Sequence, residues 1–300
     1  MEKTEFAKLL RTEVEVKSGR EVKLVKVKKN NGVELMGFSI IHPGKKIAAT
    51  TYVENYWDSF EAGEMSLEDI AKQVVVDCEN GMMDVKDNVL DFFLNYDLVK
   101  CKCRLGCRLI NYERNKEMLQ HLPHKRVMDL AVVYQCTTNI TPVDKGSIMI
   151  ENKHLEAWGV SEEQFISDAE ENMKRRLDPV IIPMEEITPS IYIILHREFG
   201  NDLVGMYVMS NWEHNYGAVE MIYGTSTLKE FADKMESDLY VLPCSVHEVI
   251  LIPLEYDEEI VKRYNQMVRE INKLYVEPEE VLADHAYFFS REEGSVRLAE

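Results

Sequence analysis

The chain has 300 residues, of which 45% are hydrophobic, and its formal net charge is −18. Residues 201–300 carry 8 basic and 20 acidic groups, so this last third contributes −12 of that charge. A chain of this length and apolar content buries a substantial core, and no apolar run approaches the roughly 18 residues that a membrane helix needs. A field of negative sign repels phosphate backbones, so nucleic-acid binding through the whole surface is disfavoured.

The first hundred residues predict a hairpin and several helices. Residues 21–29 alternate apolar and basic side chains, Asn31-Gly32 follows, and a second apolar run covers 33–41. Asn-Gly between two such runs is a strong hairpin signal. Apolar residues spaced three and four apart predict a helix over 67–78. Further helices are expected at 1–20, 53–61 and 86–95.

The middle of the chain predicts strands and one well-bounded helix. Over 100–105 the apolar positions, among them Cys101 and Cys103, alternate with basic residues as in a half-buried strand. Ser161 and Gln164 form a capping box, and the helix that they begin should end before the next proline. The elements expected here are a helix over 111–121, paired strands at 128–136 and 147–150, and a helix over 162–177.

The last third predicts strands and a long amphipathic helix. Strands and helices in this mixed order predict an α+β fold with mixed, largely antiparallel sheets and flanking amphipathic helices. Three prolines between 179 and 189 suggest a hinge. We therefore expect an N-terminal lobe over 1–180 and an acidic C-terminal lobe over 190–300, with a single domain as the alternative. The expected strands are 202–209, 218–223, 238–242 and 246–252, and the helices are 227–236 and 257–275.

Six cysteines are too few and too irregularly spaced for a disulfide scaffold, which favours reduced thiols and a cytoplasmic location. Cys101, Cys103 and Cys107 form a CxCxxxC pattern that suggests zinc, but a structural site needs a fourth ligand, and none follows nearby. Burial of the cysteines as small apolar residues explains the same pattern. We therefore expect no metal and, because the glycines form neither GxGxxG nor a phosphate loop, no cofactor.

Two histidine motifs carry the candidates for catalysis. Cys244 precedes His247 by three residues, which suggests a thiol nucleophile with its base, and Glu248 follows. His247-Glu248 fails the HExxH pattern of zinc proteases at its last position. Asp284-His285 has the order of an acid-oriented imidazole, although single histidines are more often structural groups.

A basic stretch and one tryptophan carry the candidates for binding. Lysine and arginine dominate residues 100–126, which suggests either phosphate docking or charge complementarity with the acidic C-terminal lobe. Complementarity is the simpler explanation because it needs no ligand. Trp212 lies in a polar connection and marks a contact surface if it is exposed. The basic candidates are Lys100, Lys102, Arg104 and Arg108.

Three segments are similar to a known family. They are LINYERNKEMLQHLPHKRVMDLAVVY at 109–134, YGTSTLKEFADKMESDLYVLPCSVHEVILIP at 223–253 and VEPEEVLADHAYFF at 276–289. Together they resemble domain-of-unknown-function family 5688, found in anaerobic Gram-positive bacteria and often near mobile-element genes. The resemblance covers most of the chain but implies no activity or catalytic residue, and its pattern omits the three cysteines of the zinc hypothesis.

The sequence favours a non-catalytic protein-interaction or regulatory module with an unidentified protein partner. In this hypothesis the acidic C-terminal lobe or the Trp212 connection engages the partner, and the resemblance adds an accessory role beside mobile elements. The first alternative is a hydrolase-like enzyme, provided that Cys244, His247, Glu248 and His285 converge. The second alternative is nucleic-acid binding through the basic stretch at 100–126, which the overall charge disfavours.

Overall fold

The computed structural model describes residues 1–42, 50–80, 95–97, 99, 104–139, 145–174, 178–187, 205–212, 215–243 and 245–299. The chain divides into two compact units, and the lobe boundary expected between 180 and 190 falls inside the second. Helices and largely antiparallel sheets confirm the predicted α+β class. The first unit comprises Met1–Leu94 and Asn139–Gly146, and the second comprises Asn95–Thr138 and Ser147–Glu300.

The first unit confirms the predicted hairpin. Strand β1 (Val22–Lys28) pairs antiparallel with β2 (Glu34–Ile40), and β3 (Thr50–Tyr52) joins the other side of β2. Asn31 turns the chain between β1 and β2 in the left-handed conformation that asparagine tolerates, at φ 60°. The helices of this unit share one buried core with the sheet and span Lys3–Ser18, Glu54–Glu61 and Leu67–Asn80.

The larger sheet of the second unit has six strands in the order β13-β12-β10-β11-β9-β8. The helix Glu258–Tyr275 begins at Asp257, whose carboxylate accepts two backbone N–H groups as an N-cap. Its buried stripe packs with Tyr240 and Phe288 in one core, as the apolar spacing predicts. The strands are β8 (Pro179–Pro183), β9 (Tyr207–Asn211), β10 (Leu239–Pro243), β11 (Val249–Pro253), β12 (Tyr287–Ser290) and β13 (Ser295–Leu298).

The second unit has a further sheet in the order β4-β6-β5, and β7 also pairs with β6. Cys107 on β4 lies opposite Tyr134 on β6. The strands are β4 (Arg104–Asn111), β5 (His124–Val127), β6 (Leu130–Asn139) and β7 (Lys145–Met149). The helices of this unit besides Glu258–Tyr275 are Lys116–Leu119, Asn152–Trp158, Glu162–Lys174, Met184–Ile187, Glu220–Tyr223 and Thr225–Met235, with 3₁₀ turns at Glu113–Asn115 and Gly217–Val219.

Three predicted elements differ from the structure. The strand predicted at 218–223 is helical, because a short apolar run fits a buried helix as well as a strand. The helix predicted over 111–121 is reduced to its central residues, since β4 continues to Asn111. The proline-rich hinge is in part β8, an outer strand of the sheet, where a missing backbone N–H is tolerated. The helix predicted at 86–95 falls almost wholly outside the described residues.

The cysteines depart from the expectation of reduced thiols at one position. Cys78 and Cys107 are free and buried, whereas Cys136 is disulfide-bonded. Within the described ranges, no helix combines the length and the apolar character needed to cross a membrane.

Candidate functional site

One end of the six-stranded sheet collects most of the candidate residues. Strand register sets the start of β11 beside the ends of β9 and β10, and the start of β12 beside the end of β10. His247 lies just before β11, His285 just before β12, and Trp212 just after β9. We call this region, defined by Trp212, Tyr216, His247 and His285, the histidine end of the sheet.

His247 is held by two hydrogen bonds in the same unit. Its Nδ1 atom accepts the backbone N–H of Tyr216 at 3.1 Å, so the ring proton of the neutral imidazole lies on Nε2. Nε2 then donates to Glu280 Oε1 at 3.3 Å. Because both ring nitrogens are engaged, His247 has no free lone pair with which to take a proton from a substrate.

Tyr216 contacts both an imidazole and a guanidinium. Its ring stacks on His247 with centroids 5.0 Å apart and an interplanar angle of 26°, and the Arg108 guanidinium carbon lies 4.8 Å from the same ring centroid. Tyr216 has a φ of 54°, a left-handed conformation that costs energy for a tyrosine. The fold therefore accepts local backbone strain to hold this ring in contact with His247 and Arg108.

His285 is oriented by a carboxylate distant in sequence. Its Nε2 atom lies 2.9 Å from Asp129 Oδ2, its Nδ1 lies 3.2 Å from the Ala286 carbonyl, and Tyr287 donates to the other oxygen of Asp129 at 2.8 Å. Both neighbours of the ring are acceptors, so this arrangement favours the protonated imidazolium, in which both nitrogens donate. The carboxylate that contacts His285 is therefore Asp129 and not its sequence neighbour Asp284, and a catalytic role of the Asp284-His285 motif stays a prediction.

The pKa values of this pair agree with its geometry. The hydrogen bond to Asp129 raises the pKa of His285 against the opposing effect of burial. Burial opposes ionisation of Asp129, but the bonds from His285 and Tyr287 outweigh it and lower the pKa of Asp129. Asp284, by contrast, binds the Arg114 guanidinium and accepts a hydrogen bond from Asn272 at 3.1 Å.

Replacing Asp129 with asparagine is expected to lower the free energy of unfolding by about 2 kcal/mol at pH 5.5, the range for a hydrogen bond to a charged group. Because folding raises the pKa of His285, the Asp129–His285 pair stabilises the folded protein fully below about pH 6.5, the pKa of histidine in the unfolded chain. This stabilisation is lost as pH rises through the pKa of His285 in the folded protein. The lowered pKa of Asp129 keeps that carboxylate ionised across this range. The loss should therefore be smaller at pH 8.5, as urea unfolding at both pH values would measure.

The control for this substitution is Glu259→Gln, which removes an exposed ion pair between Glu259 and Lys262. Exposed pairs contribute little, so we expect a change below about 1 kcal/mol at either pH. Equal losses at pH 5.5 and 8.5 for Asp129→Asn would contradict an ionised Asp129–His285 pair.

A buried acid is a feature that sequence reasoning missed. Glu220 is only 3% exposed, and its Oε2 atom has no hydrogen-bond partner among the described residues. Burial, with a smaller contribution from Asp178, raises the pKa of Glu220 to about 7. The only sequence signal was one acid inside the apolar run at 218–223.

Cys107 lies close to this acid and stays a neutral thiol. Burial raises the pKa of Cys107 far above its usual range, and the negative charges of Glu220 and Glu170 add to the effect. Glu170 is itself paired, since it accepts Lys125 Nζ at 2.7 Å and the Tyr223 hydroxyl at 3.0 Å. A thiol held in its protonated form is a poor nucleophile and a poor metal ligand.

Several sequence candidates cannot be compared with this geometry. Lys100, Lys102, Cys101, Cys103 and Cys244 lie outside the described residues, and of Arg104 only the backbone in β4 is described. Within the described part of the chain, no group of three or more His, Cys, Asp or Glu side chains could hold a metal ion. The zinc and thiol-nucleophile hypotheses therefore stay predictions.

The described members of the basic stretch contact groups of their own unit. Arg108 lies over Tyr216, Arg114 pairs with Asp284, and Lys125 pairs with Glu170. Glu248, the acid beside His247, also interacts within the structure and is not a free base. Among these three contacts, the Arg114–Asp284 pair joins the stretch to a carboxylate of residues 190–300, and charge complementarity with that region stays a prediction.

Comparison with known proteins gives a family. A model described as a family of unknown function, DUF5688, matches residues 3–291, and it is the family that the three sequence segments resemble. No curated protein and no solved structure matches the chain.

Proposed function

The chain belongs to DUF5688, a family of unknown function, and we propose that it is a non-catalytic module that binds a protein partner through the histidine end of the sheet. The observation that carries this proposal is the exposure of Trp212. Its side chain is 67% exposed, although tryptophan is the residue whose burial releases the most apolar surface.

Trp212 follows directly from a fixed strand. The Asn211 side chain donates to the Asn215 carbonyl at 2.9 Å and accepts the Asn215 backbone N–H at 3.2 Å. These two bonds bracket the connection that carries the indole, so the base of the connection is ordered before a partner arrives. Exposed aromatic side chains on an ordered backbone are typical of interface hot spots, because little entropy is lost on binding.

The chemistry of the histidines supports binding over catalysis. His247 and His285 each use both ring nitrogens for contacts inside the unit. The enzyme alternative needs one of them to act as a base with Cys244 or Glu248 beside it, and the contacts of both rings leave no lone pair for that role. The nucleic-acid alternative has less support, because Arg114 and Lys125 of the stretch pair with carboxylates of their own unit.

Replacing Trp212 with alanine is expected to weaken partner binding about thirtyfold or more, the loss that a hot-spot residue of about 2 kcal/mol gives. The measurement is quantitative co-purification from host lysate with tagged wild-type and variant chains, followed by titration of the enriched protein. Because the indole is exposed, the melting temperature should stay unchanged.

Leu274→Ala is the matched control, since Leu274 is another exposed apolar side chain of the same unit, at 61%. It should leave binding of the enriched protein unchanged. Equal enrichment of the same proteins by wild type and Trp212→Ala, or no enrichment by wild type at low salt, would contradict the proposal.

A further inference from the structure

Glu220 is a buried acid without a compensating cation. It begins the four-residue helix Glu220–Tyr223, its side chain is 3% exposed, and its Oε2 atom has no hydrogen-bond partner among the described residues. The charge that acts on it is that of Asp178, which is also negative. An isolated carboxylate in an apolar interior is costly, because nothing there replaces the hydration that it loses. This position therefore suits Glu220 best in its protonated form.

The titratable groups nearest to Glu220 do not offset its charge. The Cys107 thiol of β4 stays neutral, and the charges of Glu220 and Glu170 both act on it. Glu170 accepts Lys125 Nζ at 2.7 Å, so that lysine is already engaged. Tyr223, on the same helix as Glu220, donates its hydroxyl to Glu170 at 3.0 Å. Loss of the Glu220 proton therefore adds a negative charge where the nearby donors already serve another acid.

Two further titratable side chains, Arg108 and His247, contact Tyr216 and not Glu220. The Arg108 guanidinium lies over the Tyr216 ring, and Glu220 is not among the groups that act on its charge. His247 stacks on the same ring, and its Nε2 atom lies 3.3 Å from Glu280 Oε1. Neither side chain therefore supplies a counter-charge to Glu220.

The Glu220 carboxyl packs against the turn that follows its own helix. A Cβ added to Gly224 would lie 3.3 Å from Glu220 Oε2, 2.6 Å from the Glu220 carbonyl oxygen and 3.1 Å from Met209 Cε. The carboxyl thus lies against the backbone of Gly224, beside an apolar side chain of β9. Because Glu220 is almost fully buried in this contact, water reaches the carboxylate only if the side chain and the short helix that carries it move.

The residues that carry this acid, 217–223, have the features of a unit that opens locally, and we call them the Glu220 segment. The segment follows Tyr216, whose left-handed φ of 54° is strained for a tyrosine, and it ends before Gly224. It contains the 3₁₀ turn Gly217–Val219 and the helix Glu220–Tyr223, each a single turn. Short elements of this kind open at a lower free energy than core strands do.

The Glu220 segment also supports the histidine end of the sheet. A Cβ added to Gly217 would lie 2.6 Å from the Asn211 backbone nitrogen and 2.8 Å from the His247 carbonyl oxygen, so this turn packs directly against both residues. Asn211 in turn makes the two hydrogen bonds to Asn215 that bracket the connection carrying Trp212. Movement of the segment would therefore loosen the base of that connection.

We propose that Glu220 is a proton switch: when it loses its proton, the Glu220 segment opens and loosens the histidine end of the sheet. At lower pH the carboxyl is neutral and the segment stays closed. Burial raises the pKa of Glu220 to about 7, so the change is centred near neutral pH. The switch would regulate the partner surface by pH, and it rests on the proposed function for that consequence alone.

Amide hydrogen exchange of the full chain, followed by NMR at pH 6 and pH 8, tests the switch. After correction for the intrinsic pH dependence of exchange, opening of the segment should increase about tenfold between these values in the wild type. A pKa of about 7 in the closed segment and an ordinary 4.5 in the open one give this ratio. The reporter amides are Ala218, Gly224 and Asn215, which donate to Val246, Glu220 and Asn211.

Glu220→Gln should remove the tenfold change, because glutamine keeps the shape of the side chain and cannot ionise. Both proteins contain His247, so the comparison removes any contribution from its titration. Glu230→Gln is the matched control, since Glu230 is an exposed acid on the following helix, and it should keep the wild-type increase. The amides of β10 should exchange more slowly than the reporters at both pH values, because the segment opens without the sheet.

The inference is overturned if wild type and Glu220→Gln show the same pH dependence at Ala218 and Gly224, or if these amides exchange no faster than those of β10. Faster exchange of Ala218 with unchanged exchange of Asn215 would also overturn it, because the switch would then not reach the histidine end. None of these measurements needs a partner. The Trp212→Ala binding test can therefore fail while the switch stands, and the reverse outcome is equally distinct.

Discussion

Replacing Gly217 with alanine is expected to lower the free energy of unfolding by about 3 kcal/mol or more, the upper range for overpacking a buried site. An added Cβ would meet the Ser210 hydroxyl, the Asn211 backbone nitrogen at 2.6 Å and the His247 carbonyl oxygen at 2.8 Å. Two of these atoms are backbone, so they can move only if the chain around β9 and β11 moves. The same change would displace Tyr216 from His247.

Chemical denaturation of the full chain measures this loss, and Gly106→Ala is its control. A Cβ on Gly106 would meet only Gln135 Cγ at 3.9 Å, an ordinary contact, so we expect a change within about 1 kcal/mol there. If the two alanine variants unfolded at the same denaturant concentration, the close packing of Gly217 against Ser210 and His247 would be refuted.

Replacing Glu220 with glutamine is expected to stabilise the protein at pH 8 by up to about 3 kcal/mol. This is the free energy that corresponds to a difference of about 2.5 between the pKa of Glu220 in the folded and in the unfolded chain. The raised pKa of Glu220, about 7 against an ordinary 4.5, means that the folded state resists ionisation of this side chain. Glutamine keeps the shape and removes the charge that burial penalises.

The pH dependence of this effect has a definite sign. Below about pH 4.5 the Glu220 carboxyl is neutral in both states and costs nothing, so the variant and wild type should be equally stable. Between about 4.5 and 7 the unfolded chain ionises while the folded chain stays protonated, so wild-type stability falls as pH rises. Above about 7 both states are ionised and the difference between the proteins stays constant.

Urea unfolding from pH 5 to pH 8 measures this difference, with Glu230→Gln as the control. Glu230 lies on the exposed side of the helix Thr225–Met235, and its substitution should change stability by less than about 0.5 kcal/mol at every pH. A Glu220→Gln variant that was less stable than wild type at pH 8 would mean that the carboxylate has a favourable partner in the folded protein.

Elements marked by local periodicity were predictable from the sequence. The hairpin through Asn31 and the helix Glu258–Tyr275 are examples, because turn chemistry and apolar spacing are properties of neighbouring residues. The helix prediction fails only at its last turn, where Leu274 continues the apolar stripe but is exposed. Apolar spacing predicts which side of a helix faces the core, but it does not predict how far along the helix that core extends.

The site was predictable in its residues more than in its contacts. His247, His285 and Trp212 stood out as chemical types, and the structure exposes Trp212. The partner of His285 is 156 residues away, and such pairings arise from tertiary packing rather than from sequence proximity. Glu220 was hidden because an acid in a short apolar run gives no sign of whether it faces solvent.

The position of β10 has a consequence for how the chain is made. All five residues of β10 are buried, and the strand pairs on one side with β12, which begins 44 residues after β10 ends (287 − 243). During synthesis this apolar strand has an open backbone edge until β12 has been translated, and such an edge is a template for aggregation. A premature stop codon before Tyr287 would therefore leave one edge of β10 unpaired. The cell's quality-control machinery would then receive an aggregation-prone fragment instead of a shorter functional protein.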